Sequence, residues 1–178
     1  MRLGIALYWI EDDPEHPMPY FDWALVVKQK GEWDNEPATV YQIRGGTPDE
    51  PSGYRRYFTT KRLLNDTSFS GVVDLGVLDA DGAALAELTD KIVREHPADR
   101  DAPVNAAHKS IVGPRGWTCA RWILVLLMDL EEVGIFEMPL EVNWQTIYVS
   151  IIERGLVLRD LWGHNGLETY PILRLGAL

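Results

Sequence analysis

The chain has 178 residues, 46% of them hydrophobic, which suits one domain with a full core and excludes a disordered chain. Its formal net charge of −10 argues against nucleic acid or an anionic membrane as the main partner, because both need a basic footprint. One cysteine excludes an internal disulfide, and no apolar run reaches the roughly 18–20 residues of a membrane span. With no basic start and long apolar block to suggest a signal peptide, the expectation is a cytoplasmic, single-domain protein over 1–178, of undefined oligomeric state.

Arg2 to Ile10 is apolar and partly β-branched or aromatic, and reads as a buried strand. Glu11 to Pro19 is a loop of acids and prolines that lacks a calcium-loop pattern. Tyr20 to Lys28 is a second strand, in which Asp22 stands out because Asp is depleted in strands. Ringed by Tyr20, Phe21 and Trp23, this carboxylate is either exposed at a sheet end or held for a purpose. After a turn over 29–37, Ala38 to Arg44 is a third strand, and period-two alternation puts Val40, Gln42 and Arg44 on one face, Tyr41 and Ile43 on the other. The loop from Gly45 to Gly53 lacks the Lys-Ser/Thr end of a phosphate loop.

Tyr54 to Leu64 interleaves Arg55, Arg56, Lys61 and Arg62 with Tyr57 and Phe58. It reads either as a strand facing an anionic ligand or as an exposed strand with ordinary solvated charges. Gly71 to Leu78 is a further strand. Asp81-Gly82 opens a helix to about Glu95, with Leu85, Leu88, Ile92 and Val93 as its apolar stripe, ended by His96-Pro97. A loop follows to Pro114.

The most apolar helix begins at Cys119 and runs to about Val133, with Gly134 as a C-cap and Thr118 as N-cap. A thiol in a first helical turn meets unpaired N–H groups and the positive end of the dipole, which favours thiolate. The plainer reading is a small buried apolar residue between Trp117 and Trp122. Pro139 to Arg154 predicts the last helix, with Trp144, Ile147, Tyr148, Ile151 and Ile152 at helical spacing. The tail from Asp160 reads as loop and then a short extended piece. Strands first and helices afterwards predict an α+β fold, an antiparallel sheet of four to six strands packed against helices.

Several short motifs resemble a small fungal protein family. That family carries a His-Trp-Ala-Leu-Leu-Val-Gly strand, a Tyr-His strand, Trp-Asn-Cys before an apolar helix, and a Pro-Thr-Tyr-Asp-Leu ending. Here the corresponding stretches are Phe21-Asp22-Trp23-Ala24-Leu25-Val26-Val27, Val40-Tyr41-Gln42-Ile43-Arg44, Gly116-Trp117-Thr118-Cys119 and Glu168-Thr169-Tyr170-Pro171-Ile172-Leu173. The order resembles the circularly permuted papain-like (NlpC-type) thiol enzymes of the lecithin–retinol acyltransferase type. The resemblance implies Cys119 at the nucleophile position, Asp22 where the family has its base histidine, and Gln42 where a polar residue orients that base. Trp23, Tyr41, Trp117 and Trp122 would line a substrate pocket.

Asp for His changes the chemistry. A carboxyl titrates near 3.9 and a thiol near 8.5, so the carboxylate is a weak base for the thiol and its charge opposes thiolate formation. His16 and His108 are the candidates to replace the imidazole; His96 and His164 read as surface residues. Three functions follow: a small-molecule acid–base enzyme (isomerase, cyclase or dehydratase) using Asp22, in the setting of fungal secondary-metabolite biosynthesis; a Cys119-dependent acyltransferase or amide/ester hydrolase; or a catalytically silent binding module. None calls for a cofactor or metal, and the expected partner is a small molecule.

Overall fold

The computed structural model describes residues 1–10, 20–29, 31–33, 36–46, 53–77, 82–98, 118–165 and 170–176, with backbone only at 20, 82–83 and 162–165. Its elements in chain order are β1 (Arg2–Ile10), β2 (Tyr20–Lys28), β3 (Ala38–Arg44), β4 (Arg55–Lys61), β5 (Phe69–Val77), α1 (Gly82–Glu95), α2 (Cys119–Glu132), α3 (Ile147–Asn165) and β6 (Ile172–Arg174). The strands form one six-stranded sheet in the order β4-β3-β2-β1-β5-β6. The architecture is α+β with three described helices, as the order of strands and helices predicts. The sheet is not wholly antiparallel, however: β6 runs parallel to β5, with Val72 opposite Ile172 and Asp74 opposite Arg174. A chain that returns through α3 re-enters the sheet in the same direction as β5.

Alternation along the strands sends two sets of apolar side chains to opposite faces. Leu3, Ile5, Leu7, Trp23, Leu25, Tyr41, Ile43 and Val73 pack with α2, whose Trp122, Ile123, Leu124, Leu126 and Leu127 are buried. Ala6, Tyr8, Ala24, Val26, Val40 and Val72 form a smaller cluster on the other face with Trp33, Leu63, Phe69 and Tyr170. The first three strands have the bounds expected of them, because each is a compact apolar run bounded by turn residues. Among the described residues no helix is long and apolar enough to cross a membrane.

Helix starts and packing account for the remaining departures. α3 begins later than Pro139 because Asn143 holds the preceding turn: its Oδ1 accepts from Gln145 N at 2.9 Å and Thr146 N at 3.2 Å. It also continues past Arg154 through Gly155, where a Cβ would lie 2.8 Å from Leu7 Cδ1 and 2.9 Å from Phe21 Cε2. This glycine is therefore a point of close helix–sheet approach and not a helix end. On α1, Leu88 is exposed and Thr89 is buried instead, its Oγ1 donating to Leu85 O at 2.8 Å. A threonine can occupy a core position when its hydroxyl bonds back to its own helix. His96 is not a surface residue: it is buried, 2.8 Å from Asp129 Oδ2 through Nδ1, and edge-on to Trp122.

Candidate functional site

Cys119 occupies the position that the cap chemistry requires. Thr118 is extended, and its side chain accepts from Arg121 N at 3.1 Å, starting α2 at the cysteine. The helix lays this first turn over β2 and β3 where the two strands part. Their paired register spans Leu25↔Tyr41 to Val27↔Thr39, short of Trp23 and Asp22. The Trp23 backbone N–H instead donates to Cys119 Sγ at 3.4 Å. The thiol in turn donates to Asp22 Oδ1 at 3.4 Å. Residues almost a hundred positions apart in the chain therefore meet.

Of the two readings of Cys119, its burial favours the plainer one, a small buried residue, over the thiolate. Cys119 is 4% exposed. Burial pushes its thiol well above the ordinary range, and the Asp22 charge pushes the same way. The N–H groups of Trp23 and Ala120 pull it down and lose. The helix-start effect is present but is smaller than the cost of placing a charge among apolar side chains. Asp22 is also raised, by burial first, against the opposing pull of the Cys119 bond and the Arg44 charge. Two groups that would compete for one negative charge are thus both held toward their neutral forms. Among the described residues Asp22 Oδ2 has no hydrogen-bond partner. It is not sealed either, because the buried unpartnered side-chain oxygen is the Tyr8 hydroxyl.

Aromatic side chains surround the pair. Trp23 is 1% exposed and stacks on Tyr148, with ring centroids 5.6 Å apart and planes 22° apart. Tyr54 is buried in the same cluster, its phenol pushed up to about 12 by burial and then by the charges of Cys119 and Asp22. Tyr148 is raised by burial and by Cys119. Gln42 is buried, and its Oε1 accepts from Arg44 Nε at 2.7 Å, so its described partner is Arg44 and not Asp22. Tyr41 lies on the helix-facing side, its hydroxyl donating to Asp90 Oδ1 at 2.9 Å. Trp122 is fully buried, its Nε1 donating to Pro97 O at 2.8 Å. Trp117, His16 and His108, the acidic loop over 11–19 and the side chain of His164 lie outside the described residues.

Tyr8, Arg44, Tyr54 and Tyr148 join the site without having been singled out from the sequence. Period-two alternation carried part of the signal, since it puts Arg44 on the face of Gln42, whereas Tyr8 is placed opposite Asp22 only by the register of β1 on β2. Among the described residues no three His, Cys, Asp or Glu are grouped to hold a metal. A cavity of about 410 Å3 lies at the start of β1, lined by Arg2, Asp74, Pro139 and Arg174 among others. Arg2 is tied there to Asp74 at 3.1 Å and to Glu32, and Trp33 Nε1 donates to Asp74 at 2.9 Å. These partners read as a structural clasp, remote from Cys119 by the length of β1. Comparison with protein-family models, with curated proteins and with solved structures finds no match for the chain.

Proposed function

We propose that the protein is a small-molecule acid–base enzyme in which Asp22 is the proton-transferring group, on a scaffold of permuted papain-like type. One observation carries the reading: the Cys119 thiol donates to one oxygen of a carboxyl that burial has raised, and leaves the other oxygen open. A raised carboxyl is better matched to proton transfer near neutral pH than an ordinary aspartate. Cys119, pushed up by burial, serves as a neutral donor that orients Asp22. Asp22 takes a proton from one substrate atom through Oδ2 and returns it to another, so isomerisation or cyclisation balances without an oxidant or a covalent intermediate. Dehydration follows the same path when the returned proton leaves with the hydroxyl as water. The papain-like placement is supported by a thiol at a helix start that faces β2, with Gln42 on the adjacent β3.

The test uses solvent exchange, which requires no knowledge of the product. Enolisable small molecules are incubated with the protein in deuterium oxide, and deuterium uptake is followed by NMR. Wild type and Cys119→Ala should exchange, and Asp22→Asn should not. Exchange that survives Asp22→Asn but disappears in Cys119→Ala would transfer the chemistry to the thiol and its acyl-transfer reading. Ligand binding without exchange in any variant would leave a binding module.

A further inference from the structure

The acidic chain carries a basic row on the sheet face opposite α2, beside Asp22. Register places Arg44 opposite Arg55, Gln42 opposite Tyr57 and Ala38 opposite Lys61, so Arg44, Arg55, Tyr57 and Lys61 share that face. Tyr8 stands on the same face, opposite Asp22. Tyr8 is 3% exposed, and its hydroxyl has no hydrogen-bond partner among the described residues. Burying a hydroxyl without a partner costs free energy, and such a group is worth explaining when its neighbours are charged.

Arg44 is prepared to meet an anion. Its Nε is held by Gln42 Oε1 at 2.7 Å, and its guanidinium lies 4.2 Å over the Tyr57 ring. Its two terminal nitrogens have no partner among the described residues. That leaves a planar fork fixed in direction, which suits a carboxylate taken through two oxygens. Lys61 lies 5.1 Å from the Tyr8 ring centroid, with Asp66 3.3 Å from its ammonium. Tyr57 is 39% exposed under the Arg44 guanidinium, so the organic body of a carboxylate gains ring contact there that inorganic phosphate lacks.

We propose that Tyr8, Arg44, Tyr57 and Lys61 form an anion subsite that seats the carboxylate of a small organic acid beside Asp22. Arg44 supplies the fork, Tyr8 supplies a hydroxyl donor, and Gln42 positions the guanidinium. The inference rests on the acid–base reading of Asp22 and names its substrate class: a carboxylate-bearing molecule whose reacting atom falls next to Oδ2.

The experiment is calorimetric titration of the full chain with benzoate and, at matched ionic strength, with inorganic phosphate. Benzoate should bind saturably and phosphate more weakly. Arg44→Gln should weaken benzoate by at least about 10-fold, and Arg44→Lys, which keeps the charge but loses the fork, by a smaller factor. Arg44 is exposed, so both variants retain the fold. Tyr8→Phe should weaken benzoate by at least about threefold while its Tm holds or rises, since it deletes an unpartnered hydroxyl. Asp22→Asn should bind benzoate at least as tightly as wild type even where proton exchange is lost, since it removes a carboxyl beside the anion, which separates failure of the subsite from failure of the acid–base reading. The proposal is overturned if wild type shows no saturable heat below about 10 mM benzoate. It is equally overturned if phosphate binds as tightly, if Arg44→Gln binds as well as wild type, or if Asp22→Asn abolishes binding.

Discussion

Thr118→Val tests the placement of the thiol directly. Valine keeps the shape of threonine and removes the oxygen that accepts from Arg121 N at 3.1 Å. A lost N-cap costs about 1 kcal/mol, and the first turn of α2 is where Cys119 would come free. If that turn opens before alkylation, the population of open molecules rises about fivefold for each 1 kcal/mol. Iodoacetamide labelling of the single cysteine, followed by intact mass at neutral pH, reads that population. A free thiol near 8.5 is about 3% thiolate at pH 7 and labels readily. Native Cys119, 4% exposed and bonded to Asp22, should label at least about 100-fold more slowly than the same chain in denaturant. Thr118→Val should narrow that gap about fivefold. Wild-type labelling as fast as the denatured chain would refute the buried, neutral thiol, and an unchanged rate in Thr118→Val would refute the cap as what holds it.

Two aspartates should move stability with pH in opposite senses. Burial raises Asp22, so its contribution is fully present below the ordinary carboxyl range and is lost as pH rises through its folded-state value. Asp90 is lowered, chiefly by the Arg94 hydrogen bond, so its contribution is present above that range and is lost as pH falls through its folded-state value. Melting curves across pH should therefore show Asp22→Asn gaining on wild type toward neutrality and Asp90→Asn losing; equal slopes in all three proteins would refute both assignments. Gly155→Ala should lower stability by about 1–3 kcal/mol in denaturant melts, although alanine is the better helix former, because its methyl group meets Leu7 and Phe21. A neutral or stabilising result would show that α3 can lift from the sheet without loss. Arg154→Leu should cost about 2–4 kcal/mol, since the buried guanidinium bonds Arg174 O at 2.8 Å and Ser150 O at 2.9 Å. Earlier proteolysis near β6 should accompany that loss, and a variant as protease-resistant as wild type would refute the tie.

The fold was legible where local rules and tertiary packing agree. β1, β2 and β3 are short apolar or alternating runs between turn residues, and α2 carries a cap residue at one end and Gly134, with φ 74°, at the other. Other features depend on partners distant in sequence. Nothing in Ile172–Arg174 announces parallel pairing with β5, because a three-residue strand has no period to read. Gly155 reads locally as a helix breaker until Leu7 and Phe21 are placed beneath it. At the candidate site, residue types at Cys119, Asp22 and Gln42 were visible, but the protonation of the thiol was not. A helix start predicts thiolate from local dipoles alone, whereas the desolvation that overrides it comes from core residues elsewhere in the chain. Tyr8 was invisible as a functional candidate for the same reason: a tyrosine in an apolar strand is ordinary until its hydroxyl is found without a partner.

The hydrogen bond from Cys119 to Asp22 also sets an evolutionary distance. Aspartate and histidine codons differ only in their first base, so a single transversion would place an imidazole where the carboxyl now meets the sulfur. Such a ring would favour thiolate where the aspartate opposes it. The strand, the capped helix and the Trp23 N–H that define the sulfur position would remain in place. On the proposed acid–base reading, proton transfer without a nucleophile and nucleophilic attack by sulfur are thus neighbouring points in sequence space on this backbone. A lineage could move between them without passing through an unfolded or empty site.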